Sequence, residues 1–466
     1  MRLLNIKKFL FVLLTIFSIN VCNVYADGYQ VNLLSAKQTG MGHTGVALKL
    51  GAESLHFNPA GLAFLSSTMH FSLGTSLVFA KSTYNSLDYS ASTNNKISTP
   101  IYFYVGFKIY DNLSAGISFT TPYGNSLQWD KDWKGSNLIQ SIQLKDYTLQ
   151  PTIAYKLNDR LSIGVGLMLS YGNVNLSRAL FTPSEFQSLG TVIDNMPLSG
   201  KTKDPIVGLI RKYEGVVPVA ADISGTSNLA AGINIGIMYD ISDKLTLGFS
   251  YRSKMMMKVD AGEAELKYAS QTVESLFTQL GKMNAQFAVP PINEGTFEAE
   301  LPLPSNTILG LNYRPNKRLE LAMDLQFVGW KAYKSLDLQF TENILGGYEI
   351  KSNKNYKNAM IYRLGVQYSL TDRFNLRMGA YFDTTPIRKD SFNPETPGMN
   401  KLGLTSGFSF EPINNFSIDF ALSFIHGWKR DGSYPITNMI SKEVSTFAGT
   451  YQTELYTASI GLSYRF

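Results

Sequence analysis

The constraint that weighs most on this chain is a strict alternation of large apolar with small or polar residues. Met69, Phe71, Leu73, Leu77 and Phe79 alternate with His70, Ser72, Gly74 and Ser76. Successive side chains on a strand point to opposite faces, so such a run presents one apolar and one polar face. The period returns at Ile101, Phe103, Val105 and Phe107, at Leu161, Ile163, Val165, Leu167 and Leu169, and at Tyr456, Ala458, Ile460, Leu462, Tyr464 and Phe466. Beyond residue 26 no apolar run reaches the roughly twenty residues of a membrane-spanning helix. A mean hydropathy of −0.06 with 12% aromatic residues suits strands whose lipid-facing and lumen-facing side chains alternate. Each unpaired backbone group costs several kcal/mol in lipid, so a membrane sheet must close on itself. The paired runs number about fourteen, an even count that predicts an all-β, transmembrane antiparallel β-barrel.

Connection lengths orient the barrel. Short turns near Asp111, Asn158, Ser242, Pro315, Asp372 and Asn414 are expected on the periplasmic side, and longer connections outside. Residues 176–227 read as a polar connection broken by Pro183, Pro197, Pro205 and Pro218. Within 262–297, Val273, Leu276, Phe277 and Leu280 keep helical spacing and predict an amphipathic helix sealing its own loop.

Three segments precede or form this wall. Residues 1–26 carry a basic start (Arg2, Lys7, Lys8), an apolar stretch and Val24-Tyr25-Ala26, the pattern of a secretory signal peptide. A lipidated Cys22 is the competing reading of this segment. The only cysteine would leave with it, excluding thiol chemistry, and the net charge of +6 would fall to +3, too small and scattered for a nucleic-acid partner. Residues 27–65 must then lie in or beneath the barrel of residues 66–466. Gly40, Gly42, Gly45 and Gly51 recur there among small residues, and Asn58-Pro59-Ala60-Gly61 makes a rigid turn, because proline fixes φ and asparagine bonds local backbone. We read this segment as a hatch.

Asp27-Gly28-Tyr29-Gln30, the spaced glycines, Glu53-Ser54-Leu55 and the triplet Asn58, Pro59, Ala60 together resemble the N-terminal hatch of the FadL/TodX family. The resemblance implies an outer-membrane transporter of long-chain fatty acids or related hydrophobic compounds, closed by a hatch and working passively. Aromatic hydrocarbon uptake, as in the TodX branch, and a structural or adhesive outer-membrane barrel are the alternatives. The terminal Phe466 also resembles the signal read by the outer-membrane assembly machinery, and outer-membrane lipid and lipopolysaccharide would surround the wall.

Catalysis finds no support in the sequence. The four histidines, His43, His56, His70 and His426, accompany no Gly-x-Ser-x-Gly or His-Glu-x-x-His motif, and no phosphate loop, metal set or cofactor site is expected. Alternation turns Lys108, Lys156, Arg252, Glu320, Asp324, Arg363, Arg377, Asp419 and Arg465 inward. Most should pair with one another. Arg252, Arg363 and Arg377 are the candidates for holding a ligand carboxylate by charge-assisted hydrogen bonds.

Overall fold

The computed structural model describes residues 28–283, 292–344, 348–389, 392–438 and 443–466. The expected signal segment, with Cys22, lies outside them. Fourteen antiparallel strands form the wall. In chain order the first seven are β1 (Met69–Asn85), β2 (Ile101–Tyr110), β3 (Leu113–Thr120), β4 (Ser141–Lys156), β5 (Leu161–Ala179), β6 (Ala230–Ser242) and β7 (Leu245–Arg252). The remainder are β8 (Asn306–Tyr313), β9 (Leu319–Val328), β10 (Ala359–Thr371), β11 (Phe374–Asp383), β12 (Lys401–Ile413), β13 (Phe416–Gly427) and β14 (Val444–Arg465). Each pairs with its sequence neighbours, and β14 pairs with β1 from His70↔Arg465 to Asn85↔Thr450, closing the ring.

Facing follows the alternation. Leu73, Leu77, Phe79, Leu167 and Ile460 are exposed on the outer surface, whereas Ser72, Ser76, Ser162, Asn234 and Ser459 are buried in the lumen. Aromatic pairs flank the apolar band. Phe374 stacks on Phe408 (5.7 Å between centroids) near the short-turn end, and Phe382 meets Trp428 edge-on (5.5 Å) near the other. Such girdles occupy the two membrane interfaces, where an amphipathic ring is half solvated.

The short turns use the expected residues. Asn158 Oδ1 accepts from the amides of Arg160 and Leu161, and Asn316 Oδ1 from those of Arg318 and Leu319. At the opposite end the wall continues into further strands, including Val219–Thr226, Met255–Tyr268 and Glu294–Leu303. Helices α1 (Ala36–Gly40) and α2 (Ser54–Phe57) belong to the lumen, and α3 (Pro183–Asp194), α4 (Gly200–Lys212) and α5 (Gln271–Met283) pack with these further strands as an external layer.

The helix expected from Val273, Leu276, Phe277 and Leu280 is α5, and those four side chains are buried. Residues 176–227, expected as an irregular polar connection, instead hold α3 and α4. A capping box explains the first: Glu185 N donates to Thr182 Oγ1 (3.2 Å) and Thr182 N to Glu185 Oε2 (2.8 Å), with Pro183 at the first helical position. Phe186, Leu189 and Ile193 of α3 then pack with Ile210 of α4 and Phe277 of α5 into one apolar core. Burial of that shared face outweighs the polarity of the segment.

Candidate functional site

Residues 28–65 lie inside the ring, and local chemistry shapes them. Ser35 caps α1, its hydroxyl accepting from Gln38 N (3.2 Å). Gly42, at φ +65°, turns the chain out of that helix. Asn58 does three things at once: its Oδ1 accepts from Ala60 N (3.1 Å), while its Nδ2 donates to Val46 O (2.7 Å) and to Ile237 O of β6 (3.1 Å). Pro59 opens the 3-10 turn Pro59–Phe64, where its missing N–H leaves nothing unsatisfied, and Ala60 is fully buried beneath β5, its carbonyl accepting from Ser162 Oγ (3.0 Å).

Wall side chains reach the backbone of this inner segment, the expected hatch, from all round. Asp324 Oδ2 accepts from Gly45 N (2.7 Å) and Val46 N (3.2 Å), Gln150 Nε2 donates to Leu55 O (2.6 Å), and Tyr104 donates to Leu34 O (2.8 Å). Glu53, 1% exposed, accepts from Ser35 and Ser72, both at 2.7 Å. Backbone groups in the lumen away from strand ladders would otherwise be orphaned.

Above this floor is a cavity of about 860 Å³, lined by Val31, Asn32, His43, Tyr123, Trp330, Tyr381 and Ile425 among others. Its lining residues Tyr123, Leu127, Trp330, Tyr381 and Ile425 belong to a large apolar cluster in which Trp129 stacks on Trp133 at 4.4 Å. Tyr29 packs edge-on against the lining residue Trp330 at 4.8 Å. A second cavity, about 430 Å³ and far more ionic, lies on the short-turn side of the hatch between Lys37, Glu53, Glu320, Arg377 and Arg465.

The three arginines have distinct surroundings. Arg252 Nη1 donates to His56 Nδ1 (2.8 Å) and to His56 O (3.2 Å); because guanidinium only donates, that imidazole is neutral with its proton on Nε2. Arg377 Nε donates to Gln367 Oε1 (2.7 Å), and its Nη1 lies 3.4 Å from Asp419 on the ionic side of the hatch. Arg363, opposite Asp324 across β9 and β10, donates from Nη2 to Asn32 Oδ1 (3.0 Å), and Asn32 lines the larger cavity. Its Nε is buried and has no hydrogen-bond partner among the described residues. None of the three lines the larger cavity directly; Arg363 stands one side chain behind its floor.

One feature of the site escaped the reading of the sequence. Pairing of β2 with β3 ends at Tyr102↔Thr120, and Pro122 O and Gly124 N turn inward to bond Val31 N and Tyr29 O, both at 2.8 Å. Across from them Pro100 O accepts from Ser76 N (3.1 Å). The ladder resumes only where Asn94 N meets Gln128 O (2.8 Å). Prolines on both edges, Pro100 and Pro122, have no N–H with which to continue it. The wall is interrupted here, and Ser98, Thr99, Pro100, Thr121 and Gly124 on its two edges line the larger cavity. Proline inside a strand run was the available signal.

A lipid-banded ring, crossed by the chain's own N-terminal segment with a cavity on either side of it, has the form of an outer-membrane transport barrel. Comparison with known proteins gives the same class. The model of the family described as outer membrane protein transport protein (OMPP1/FadL/TodX) matches residues 19–466, and the chain belongs to this family. A candidate outer membrane protein of Neisseria meningitidis serogroup B is 23% identical, over 99% of this chain and 98% of that one. The long-chain fatty acid transport protein of Escherichia coli K12 is 21% identical over 68% of each. Among solved structures, a Pseudomonas aeruginosa FadL homologue superposes with a TM-score of 0.75 at 18% identity, covering 94% of this chain and 100% of that one. The Pseudomonas putida toluene transporter TodX gives 0.65 at 18%, over 94% and 99%. The protein is thus a Gram-negative outer-membrane transport barrel and not an enzyme.

Proposed function

We propose that the protein passively admits long-chain fatty acids, or hydrophobic compounds with an equivalent acidic head. The observation that carries this is the larger cavity: apolar and aromatic walls rise from a floor of Asn32 and His43, with the buried, incompletely bonded Arg363 behind it. At about 860 Å³ it stands near the upper end of ligand-site volumes, roomy for a long chain and loose for a single ring. A pure hydrocarbon would leave the polar floor without partners, which costs binding. The hatch seals the periplasmic side, and the interruption between β2 and β3 offers an apolar ligand a sideways route out of the cavity. Arg252 and Arg377, committed to His56 and Asp419, are weaker supports for the carboxylate than Arg363.

Titrating oleate and an uncharged hydrocarbon of similar length into the purified barrel tests this. Arg363→Ala removes a positive charge held one side chain from the carboxylate, and should weaken oleate by about 2 kcal/mol at an effective dielectric of roughly 20 while leaving the hydrocarbon unchanged. Equal affinity of the variant and parent for oleate would remove Arg363 from the site. A second reading, uptake of a monoaromatic compound, has its own support in the rings of Tyr123, Trp330 and Tyr381 on the cavity wall. Tighter binding of toluene than of oleate would favour it.

A further inference from the structure

The wall carries glycines where it meets the hatch, and they are paired across the strands. Gly106 faces Gly116, Gly164 faces Gly236, Gly248 faces Gly310, and Gly365 faces Gly379, each directly opposite in register. At the seam Gly74 faces Gly461. A strand interior gains nothing from glycine by itself, which loses backbone entropy and packs no side chain. Close approach of another group is the reason left: hatch backbone at several of these positions, and a side chain at Gly106 (Leu62) and Gly74 (Tyr102).

What a methyl group would strike is specific. At Gly236 it would meet Asn58 Oδ1 at 2.0 Å, Pro59 Cδ at 2.8 Å and Ala60 N at 2.9 Å. Gly248 would press on Val46 O at 2.1 Å, and Gly379 on Gly42 N at 2.1 Å. At all three positions the three nearest atoms belong to the hatch: all are backbone at Gly248 and Gly379, and at Gly236 they are Ala60 N with the Pro59 ring and the Asn58 Oδ1 that is held by Ala60 N. Elsewhere the wall glycines face other partners: Gly225 in the external layer would meet the side chain of Val259 at 2.6 Å.

We propose that this ring of glycines positions the hatch, setting its depth and rotation in the lumen, and that the seal against small ions depends on it. The wall supplies recesses and the hatch backbone occupies them, so hydrogen bonds such as Asn58 to Ile237 form at one seating only. This rests on residues 28–65 acting as a plug, and the experiment separates the two claims.

Single-channel conductance in planar bilayers is measured for the parent, Gly236→Ala, Gly379→Ala and the control Gly225→Ala, each first shown to keep heat-modifiable gel mobility. Overpacking by one methyl should raise the frequency of open events roughly ten- to hundredfold in the two hatch-facing variants. The control should match the parent. Gly106→Ala supplies a reciprocal variant, because its methyl would meet the flexible Leu62 Cδ1 at 2.7 Å. Combining it with Leu62→Ala should bring conductance below that of either single change, a coupling expected only of touching residues. Parental conductance in Gly236→Ala and Gly379→Ala, with the barrel folded, would overturn the proposal. A parent already open to ions would instead overturn the plug itself.

Discussion

A single position shows how sharply the wall distinguishes its faces. Leu167 lies midway along the lipid-facing run of β5, whereas the adjacent Gly166 faces Gln150 and Thr152 in the lumen. Leu167→Arg should therefore cost about 2 to 4 kcal/mol of folding free energy if it sits near the bilayer midplane. Gly166→Arg should spare the lipid contact and instead disturb Gln150, which holds Leu55 O. Folding titrations into lipid vesicles check the pair; equal penalties would contradict the facing. At this scale the sequence was highly legible, since a period of two assigns Leu167, Gly166, Arg252, Arg363 and Asp324 to a face without knowledge of any partner. It could not say that Arg252 ends at His56 or Arg363 at Asn32, because those residues are far apart in the chain and meet only when the ring is closed.

Among the elements, the hatch turn is the most exposed to test. Asn58→Ala with Pro59→Gly removes the bonds to Val46 O, Ile237 O and Ala60 N and frees a fixed φ, while no wall ladder passes through either residue. The double variant should keep its heat-modifiable mobility yet either leak small ions or lose ligand uptake. Parental conductance and uptake would reduce the Asn58-Pro59-Ala60 triplet to filler. That turn could be read locally, as could α5 from its spacing. The helices α3 and α4 were missed although Thr182-Pro183-Ser184-Glu185 spells a helix start, because four prolines between 183 and 218 read as breakers; Pro205 does sit inside α4 and costs it a backbone hydrogen bond, but burial of Ile206, Val207 and Ile210 against the external core holds the helix. The interruption at Pro100 and Pro122 was hidden for a related reason: each proline alone suits a strand end, and only their apposition across β2 and β3 opens the wall.

For the molecule as a whole, stability resides in the closed ladder, and its last strand is also its longest. Phe466 packs edge-on against Tyr464 at 4.5 Å and its amide donates to Met69 O at 2.9 Å, so the terminal residue is part of the seam. Removing Phe466 should slow barrel formation in vesicles, followed as the appearance of the heat-modifiable band, more than it lowers the stability of barrels already formed; unchanged kinetics in vesicles and in cells would deny the residue an assembly role. The seam has a further consequence. It joins the first wall strand to the last, and the hatch hangs from β1 beside it. Until β14 docks, the sheet is an open trough into which the hatch can be laid from the side; afterwards the wall encircles it, with the external layer over one mouth. The connectivity thus gives the hatch its widest entry before the seam closes; afterwards the one way left is the short-turn mouth, beside which β1 begins at Met69.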